Sequence, residues 1–126
     1  MLMTRTFEDI LAWQKAHELV IKIYKITRTF PETEKFGLCQ QFQRAAVSIA
    51  ANIAEGYKKL GKADKLRFFN ISQGSLKECR YYCILSKGLT YIDENTFHNL
   101  VSEIQNTSFM LNAYIKGVVC NSYIKD

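Results

Sequence analysis

The chain has 126 residues, 48% of them hydrophobic, with a single proline and a formal net charge of +5. That length suits one domain able to bury roughly two thirds of its unfolded surface, and that composition excludes a disordered chain. No apolar run of about 18 residues occurs, so no transmembrane segment is visible, and no membrane partner is expected. The opening MLMTRTFEDI lacks the apolar stretch of a signal peptide, so a cytoplasmic protein is expected, its four cysteines present as thiols. The positive charge leaves an anionic partner open without identifying one.

In chain order, apolar Ala12, Trp13, Ala16, Leu19, Val20, Ile23 and Ile26 alternate with polar Gln14, Lys15, Glu18, Lys22 and Lys25. This predicts an amphipathic first helix over about residues 6–29. Thr6 with Asp9 has the form of a capping box with Asp in place of Glu, so Thr6 is the expected N-cap. Glu18 and Lys22 are spaced for an i,i+4 ion pair on the wet face. Pro31 ends the helix, and residues 31–37 form a short connection.

The second helix is expected over residues 38–56, since no glycine or proline falls between Leu38 and Glu55. Leu38, Phe42, Ala45 and Ile49 lie four, three and four apart, and Ala46, Ile49 and Ile53 make a second line. Ala45, Ala46, Ser48, Ala50, Ala51 and Ala54 put small residues on nearly every side. A helix that is apolar or small all round is buried all round. This stretch is therefore expected to be the central helix, with the other helices packed against it.

After a short Lys58-Lys59-Leu60 link, a third helix is predicted over residues 62–87. Phe68, Ile71, Ser75, Cys79, Tyr82 and Ser86 form its stripe, widened by Phe69, Leu76 and Cys83. Gly74 lies mid-helix, where it costs about 1 kcal/mol against alanine; close packing on the small face of the second helix is the expected reason. Gly88 is the expected C-cap. Asp93 then caps a fourth helix over residues 94–120, with Phe97, Leu100, Val101, Ile104, Ser108, Leu111, Ile115 and Val118 as its stripe. No strand-like alternation, repeat or low-complexity tract is visible. The expected fold is all-α, an antiparallel up-down-up-down four-helix bundle in a single domain spanning residues 1–126.

Three stretches carry a family resemblance. RAAVSIAANIAEGYKK, from Arg44 onward, resembles the "RRAAVSIPSNIAEG" segment of the bacterial four-helix-bundle family known from the intervening sequences of large-subunit ribosomal RNA genes. FEDILAWQKAHEL, from Phe7 to Leu19, is similar to its "FEDLxVWQKAxxL", and FFNISQGSLKE, from Phe68 to Glu78, to its "FLxIAxGSLxE". The resemblance spans nearly the whole chain in order. It implies a four-helix bundle assembling as a ring-like homopentamer. Related members serve diversity-generating retroelements as accessory proteins that bind nucleic acid and a reverse transcriptase. The family supplies no catalytic residues to carry over. The chain departs from the pattern at Gln43, which replaces the first arginine, at Ala50 and Ala51, which replace Pro-Ser, and at Arg80, where an acidic residue is expected. Without that proline a straighter second helix is expected.

Two groups of residues are candidates for function. Arg44, Ser48, Asn52 and Glu55 follow one line of the second helix. They form either a polar binding strip or a network that satisfies buried groups and fixes helix register; their setting among alanines favours the network. Glu55 would then need an arginine or a helix N-terminus as partner. Around the second link, Lys58, Lys59, Lys62, Lys65 and Arg67 stand against Asp64 alone, a local balance of +4. Such a cluster suits phosphate contacts, with Tyr57 beside it to stack on a base, although an ordinary solvated loop has the same composition. Arg44 joins the nucleic-acid candidates.

Catalytic and metal patterns are weak. Cys79 and Cys83 are i,i+4, but no CxxC pair exists and their stripe is otherwise apolar, so core packing is the reading. Neither His17 nor His98 follows a glutamate by three, which removes the di-iron pattern of some bundles. No Gly-rich phosphate loop or nucleophile elbow is present. No metal, cofactor or enzymatic activity is expected. Two functions remain. One is an oligomeric accessory protein that binds RNA or DNA through its basic surface. The other is a scaffold that oligomerises and docks a partner protein. Ile21, Tyr24, Tyr81, Ile84 and Leu85, beside the main stripes, supply more apolar surface than one small core needs.

Overall fold

Among the described residues, 5–120, the computed structural model holds four α-helices: α1 (Leu11–Thr27), α2 (Leu38–Lys58), α3 (Lys62–Gly88) and α4 (Glu94–Val119). Consecutive helices run antiparallel. Gln41 meets Tyr82, Ser48 meets Ser75 and Lys65 meets Gly56 between α2 and α3. Gln73 meets Ser108 and Lys62 meets Val119 between α3 and α4. Lys22 of α1 reaches Asn99 and Glu103 of α4, which closes the bundle. The core is built by Leu19, Ile23, Phe42, Ile49, Ile53, Phe69, Leu76, Leu100 and Leu111, all fully buried. Burying each such side chain stabilises the fold by about 1.5–3 kcal/mol.

The first helix differs from expectation at both ends. Thr6 does form the capping box, with its hydroxyl accepting from Glu8 N–H and Asp9 accepting from Thr6 N–H. The box opens a 3₁₀ turn, Phe7–Asp9, and the extended, buried Ile10 (φ −76°, ψ 121°) separates that turn from α1. At the other end, the Thr27 hydroxyl donates to Ile23 O at 2.8 Å and Thr29 donates to Ile26 O at 2.7 Å. Such side-chain bonds compete with the helical ladder, and α1 stops at Thr27. The expected Glu18–Lys22 pair does not form. Glu18 pairs with Lys15 at 3.3 Å, and Lys22 turns towards α4. Its ammonium is aimed at Asn99, so Glu103 Oε2, 3.0 Å away, gains charge attraction without an aligned hydrogen bond.

The second helix is unbroken but is not central. It packs on α1 and α3 and lies diagonally across from α4. Gln40, Arg44, Val47, Ala51 and Glu55 consequently face solvent. Small residues allow close packing but do not require it on every side.

On α3 the buried line is Lys65, Phe69, Ser72, Leu76, Cys79, Cys83 and Ser86, a strict four-three alternation, joined by Ser75. The expected stripe is therefore rotated: Ile71 is exposed and Phe68 half-buried. Serines make the difference. Ser72 donates to Ile49 O and Ser75 to Ser48 Oγ, both at 2.8 Å, which satisfies their hydroxyls inside the seam. Thr107 buries in the same way on α4, where Ser108 was expected, by donating to Glu103 O.

The glycines also correct the expectation. A side chain at Gly74 would meet nothing within 4 Å, so no close packing holds that position. The close approach is at Gly56, where a Cβ would lie 2.5 Å from the Phe69 ring. Gly88 is the last residue of α3 rather than its cap. Thr90 instead takes the left-handed turn (φ 63°), with Tyr91 N–H donating to Ser86 O and Thr90 N–H to Lys87 O. Asp93 caps α4 as expected, accepting from Thr96 N–H at 2.7 Å.

Candidate nucleic-acid interface

The basic residues around the α2–α3 link meet at one corner of the bundle, and the corner sorts them into different roles. Lys65 sits on the buried line of α3, and its ammonium donates to the carbonyls of Gly56 (3.3 Å) and Tyr57 (2.8 Å). These carbonyls belong to the last turn of α2, where a cation complements the helix dipole. Burial pushes the Lys65 amine below its ordinary range. Lys65 is thus a clamp on the end of α2 and offers no ammonium to a surface ligand. Tyr57 is half-buried against the core, with that ammonium 5.6 Å from its ring centre.

Lys58, Lys59, Lys62 and Arg67 remain near the surface. Lys58 is exposed and makes no ion pair or hydrogen bond among the described residues. Lys59 lies 3.8 Å from Glu55, and Arg67 lies 3.5 Å from Asp64. Both cations also approach the Phe68 ring, at 5.1 and 5.0 Å from its centre. Phe68 is thus an aromatic ring flanked by two cations, a feature visible only once the helix face is known. Lys62 donates to Val119 O at 3.1 Å. Among the described residues, the corner therefore gathers four cations and two carboxylates.

Arg44 is elsewhere. It precedes Lys58 by three to four turns of α2, about 21 Å at 1.5 Å per residue. It lines an open groove of about 330 Å³ between α2 and α3, opposite Glu78, with Gln41 and Tyr82. The Tyr82 hydroxyl donates to Gln41 Oε1 at 3.0 Å, and burial, followed by the Glu78 charge, pushes that phenol up.

The line from Arg44 to Glu55 divides in two. Asn52 donates to both Ser48 O (2.8 Å) and Ser48 Oγ (3.0 Å), and Ser48 Oγ accepts from Ser75. Ser48 and Asn52 thereby tie α2 to α3. Arg44 and Glu55 stay exposed, and Glu55 finds Lys59 rather than an arginine.

Among the described residues, no group of three or more His, Cys, Asp or Glu is placed to hold a metal ion. Burial pushes the Cys83 thiol up to about 12 and Cys79 higher still, so both stay protonated inside the core. No described helix is long and apolar enough to cross a membrane.

An all-α four-helix bundle with a basic corner places the protein among small helical-bundle proteins. Within that class, this chain belongs to the 23S rRNA-intervening sequence protein family, whose model matches residues 8–113. It is similar to a crystal structure from Bacteroides thetaiotaomicron, described as a protein of unknown function from the S23 ribosomal protein family. The two share 24% identity with a TM-score of 0.78, over 86% of this chain and 98% of that one, which establishes the fold alone. No curated protein matches.

Proposed function

We propose that this protein is a non-enzymatic, self-assembling bundle that binds the backbone of RNA or DNA through the α2–α3 corner, acting as an accessory factor. The observation that carries this reading is the corner itself: among the described residues, exposed Lys58, with Lys59 and Arg67 on either side of the Phe68 ring, and Lys62 close by on the first turn of α3. Backbone binding needs clustered cations and no base-reading motif. Self-assembly is supported by the outer face of α3, where Ile71, Tyr81 and Ile84 are each about half exposed. Tyr81 and Ile84 lie about one turn apart there, and exposed apolar side chains that cluster mark contact surfaces. The ring-like pentamer implied by the sequence resemblance would repeat the corner around its axis and add the fields of its copies.

One observation favours a second reading. Leu60, at the tip of the same corner, is 92% exposed, and backbone contacts leave it unused. A docked protein, such as a reverse transcriptase, would cover it.

Fluorescence anisotropy with structured RNA and duplex DNA across a salt series separates the two. Four phosphate contacts predict a slope of log affinity against log salt of about −3.6 on duplex DNA. The slope should shallow when Lys58, Lys59 and Lys62 are changed to Gln. Light scattering on the same sample reads the assembly. An oligomer that binds neither probe at low salt would leave the scaffold.

A further inference from the structure

The cations outside the corner are not equally compensated. Three other grooves set a carboxylate beside their basic residues: Arg44 faces Glu78, Lys25 lies with Asp93, and Lys35 lies with Glu32. The groove between α3 and α4 differs. It is lined by Lys77 and Arg80, one turn apart on α3, and no carboxylate lines it. Neither cation makes an ion pair or hydrogen bond among the described residues, and both are exposed.

The rest of the groove is fixed. Gln73 donates to Ser108 O (3.3 Å) and Asn112 Oδ1 (2.9 Å) and accepts from the Ser108 hydroxyl (2.8 Å). That lock holds the α3–α4 seam and uses up its polar atoms. Leu76 and Ile104, both buried, form an apolar floor. Gln105, exposed on the α4 rim, adds an amide donor without a hydrogen bond among the described residues. The space is about 130 Å³. That is several times the space one water needs, enough for one tetrahedral oxyanion.

We infer that this groove binds a single phosphate group, held by Lys77 and Arg80 with Gln105 as the third donor. Arginine and lysine beside a low-dielectric floor form charge-assisted hydrogen bonds to phosphate oxygens, and no carboxylate opposes the anion. The phosphate belongs either to a nucleic-acid backbone or to a free phosphate, and the groove chemistry is the same for both. In the first case the groove is a second contact beside the α2–α3 corner. The inference does not depend on that corner's function.

The test compares wild type, Lys77→Gln/Arg80→Gln and Lys58→Gln/Lys59→Gln, with matching thermal melts as the folding control. Labelled single-stranded RNA is titrated across a salt series, and inorganic phosphate is followed by ³¹P line broadening. A backbone phosphate predicts that the groove variant loses about tenfold in RNA affinity, the worth of one charge-assisted contact. Its salt slope should shallow by about one. A free-phosphate site predicts unchanged RNA affinity, with ³¹P broadening by wild type and the corner variant but not by the groove variant. If the groove variant matches wild type in both measurements, the inference is overturned. RNA binding that still falls in the corner variant would then leave the corner's role standing, whereas RNA binding by none of the three proteins would remove that role separately.

Discussion

The Phe69 ring fills the space that a side chain on Gly56 would need. A Cβ built there lies 2.5 Å from Cε1 and 2.8 Å from Cδ1 of a ring that is itself fully buried. The ring has core on its other faces and cannot swing away. Gly56→Ala should therefore destabilise the protein by about 1–3 kcal/mol from overpacking, despite the better helix propensity of alanine. A fall in the urea midpoint without a change in slope would show it. A rise in the midpoint would mean that α2 and α3 are not in contact at this point.

Gly74 is the opposite case. It is exposed in the middle of α3, and a methyl group there meets nothing within 4 Å. Gly74→Ala should raise stability by up to about 1 kcal/mol through helix propensity alone. The same measurement reads it, and a loss would point to a contact with another copy across that face.

These two glycines mark what the sequence makes legible. Helix periodicity located all four helices, because α1, α2 and α3 have clear stops before Pro31, at the Gly56–Gly61 stretch and before Asp93; the start of α1 was misplaced, since it lies at Leu11 after a separate 3₁₀ turn. Faces were harder. The α3 stripe came out rotated because large apolar residues such as Ile71 count towards a core that Ser72 and Ser75 in fact enter, each satisfied by one bond to α2. The tight glycine could not be told from the loose one, since both lie in helical stretches and only the partner helix distinguishes them. Lys65 was hidden for a related reason. Composition counts it as surface charge, whereas its place in the four-three line aims it at the end of α2.

Thr90 closes α3 in the left-handed region at φ 63°, where a β-branched side chain is strained. The backbone bonds from Thr90 and Tyr91 to Lys87 and Ser86 hold it there. Thr90→Gly keeps those bonds and removes the strain, so it should stabilise the protein by about 1 kcal/mol. A higher melting temperature for the variant, with unchanged helicity, is the expected result. A lower one would show that the flexibility gained in the unfolded chain outweighs the strain released.

Asp93 gives the protein part of its acid sensitivity. The bond it accepts from Thr96 N–H holds its carboxyl below the usual range. A folded value below the unfolded one means that the ionised cap stabilises the fold above about pH 3.9. That contribution disappears as pH falls through the folded value. Asp93→Asn keeps a cap acceptor but not the charge. The melting-temperature gap between wild type and variant should therefore be widest near neutrality and narrow below about pH 3.9. A gap that stays constant down to acid pH would show that the charge of Asp93 adds nothing to its cap.

Lys65 and Lys58 lie on the same basic segment and should behave in opposite ways. Lys65 is 8% exposed and holds the last carbonyls of α2, so Lys65→Met removes two charge-assisted hydrogen bonds from a buried position. The expected cost is about 1.5–3 kcal/mol of unfolding free energy, with little change in nucleic-acid affinity for the protein that remains folded. Lys58 is exposed and makes no ion pair among the described residues. Lys58→Gln should leave the urea midpoint unchanged and shallow the salt dependence of binding by about one phosphate contact. Urea unfolding and salt-series anisotropy on the same two variants would give four results. A loss of salt dependence in Lys65→Met would place Lys65 at the interface and return the end of α2 to the binding surface.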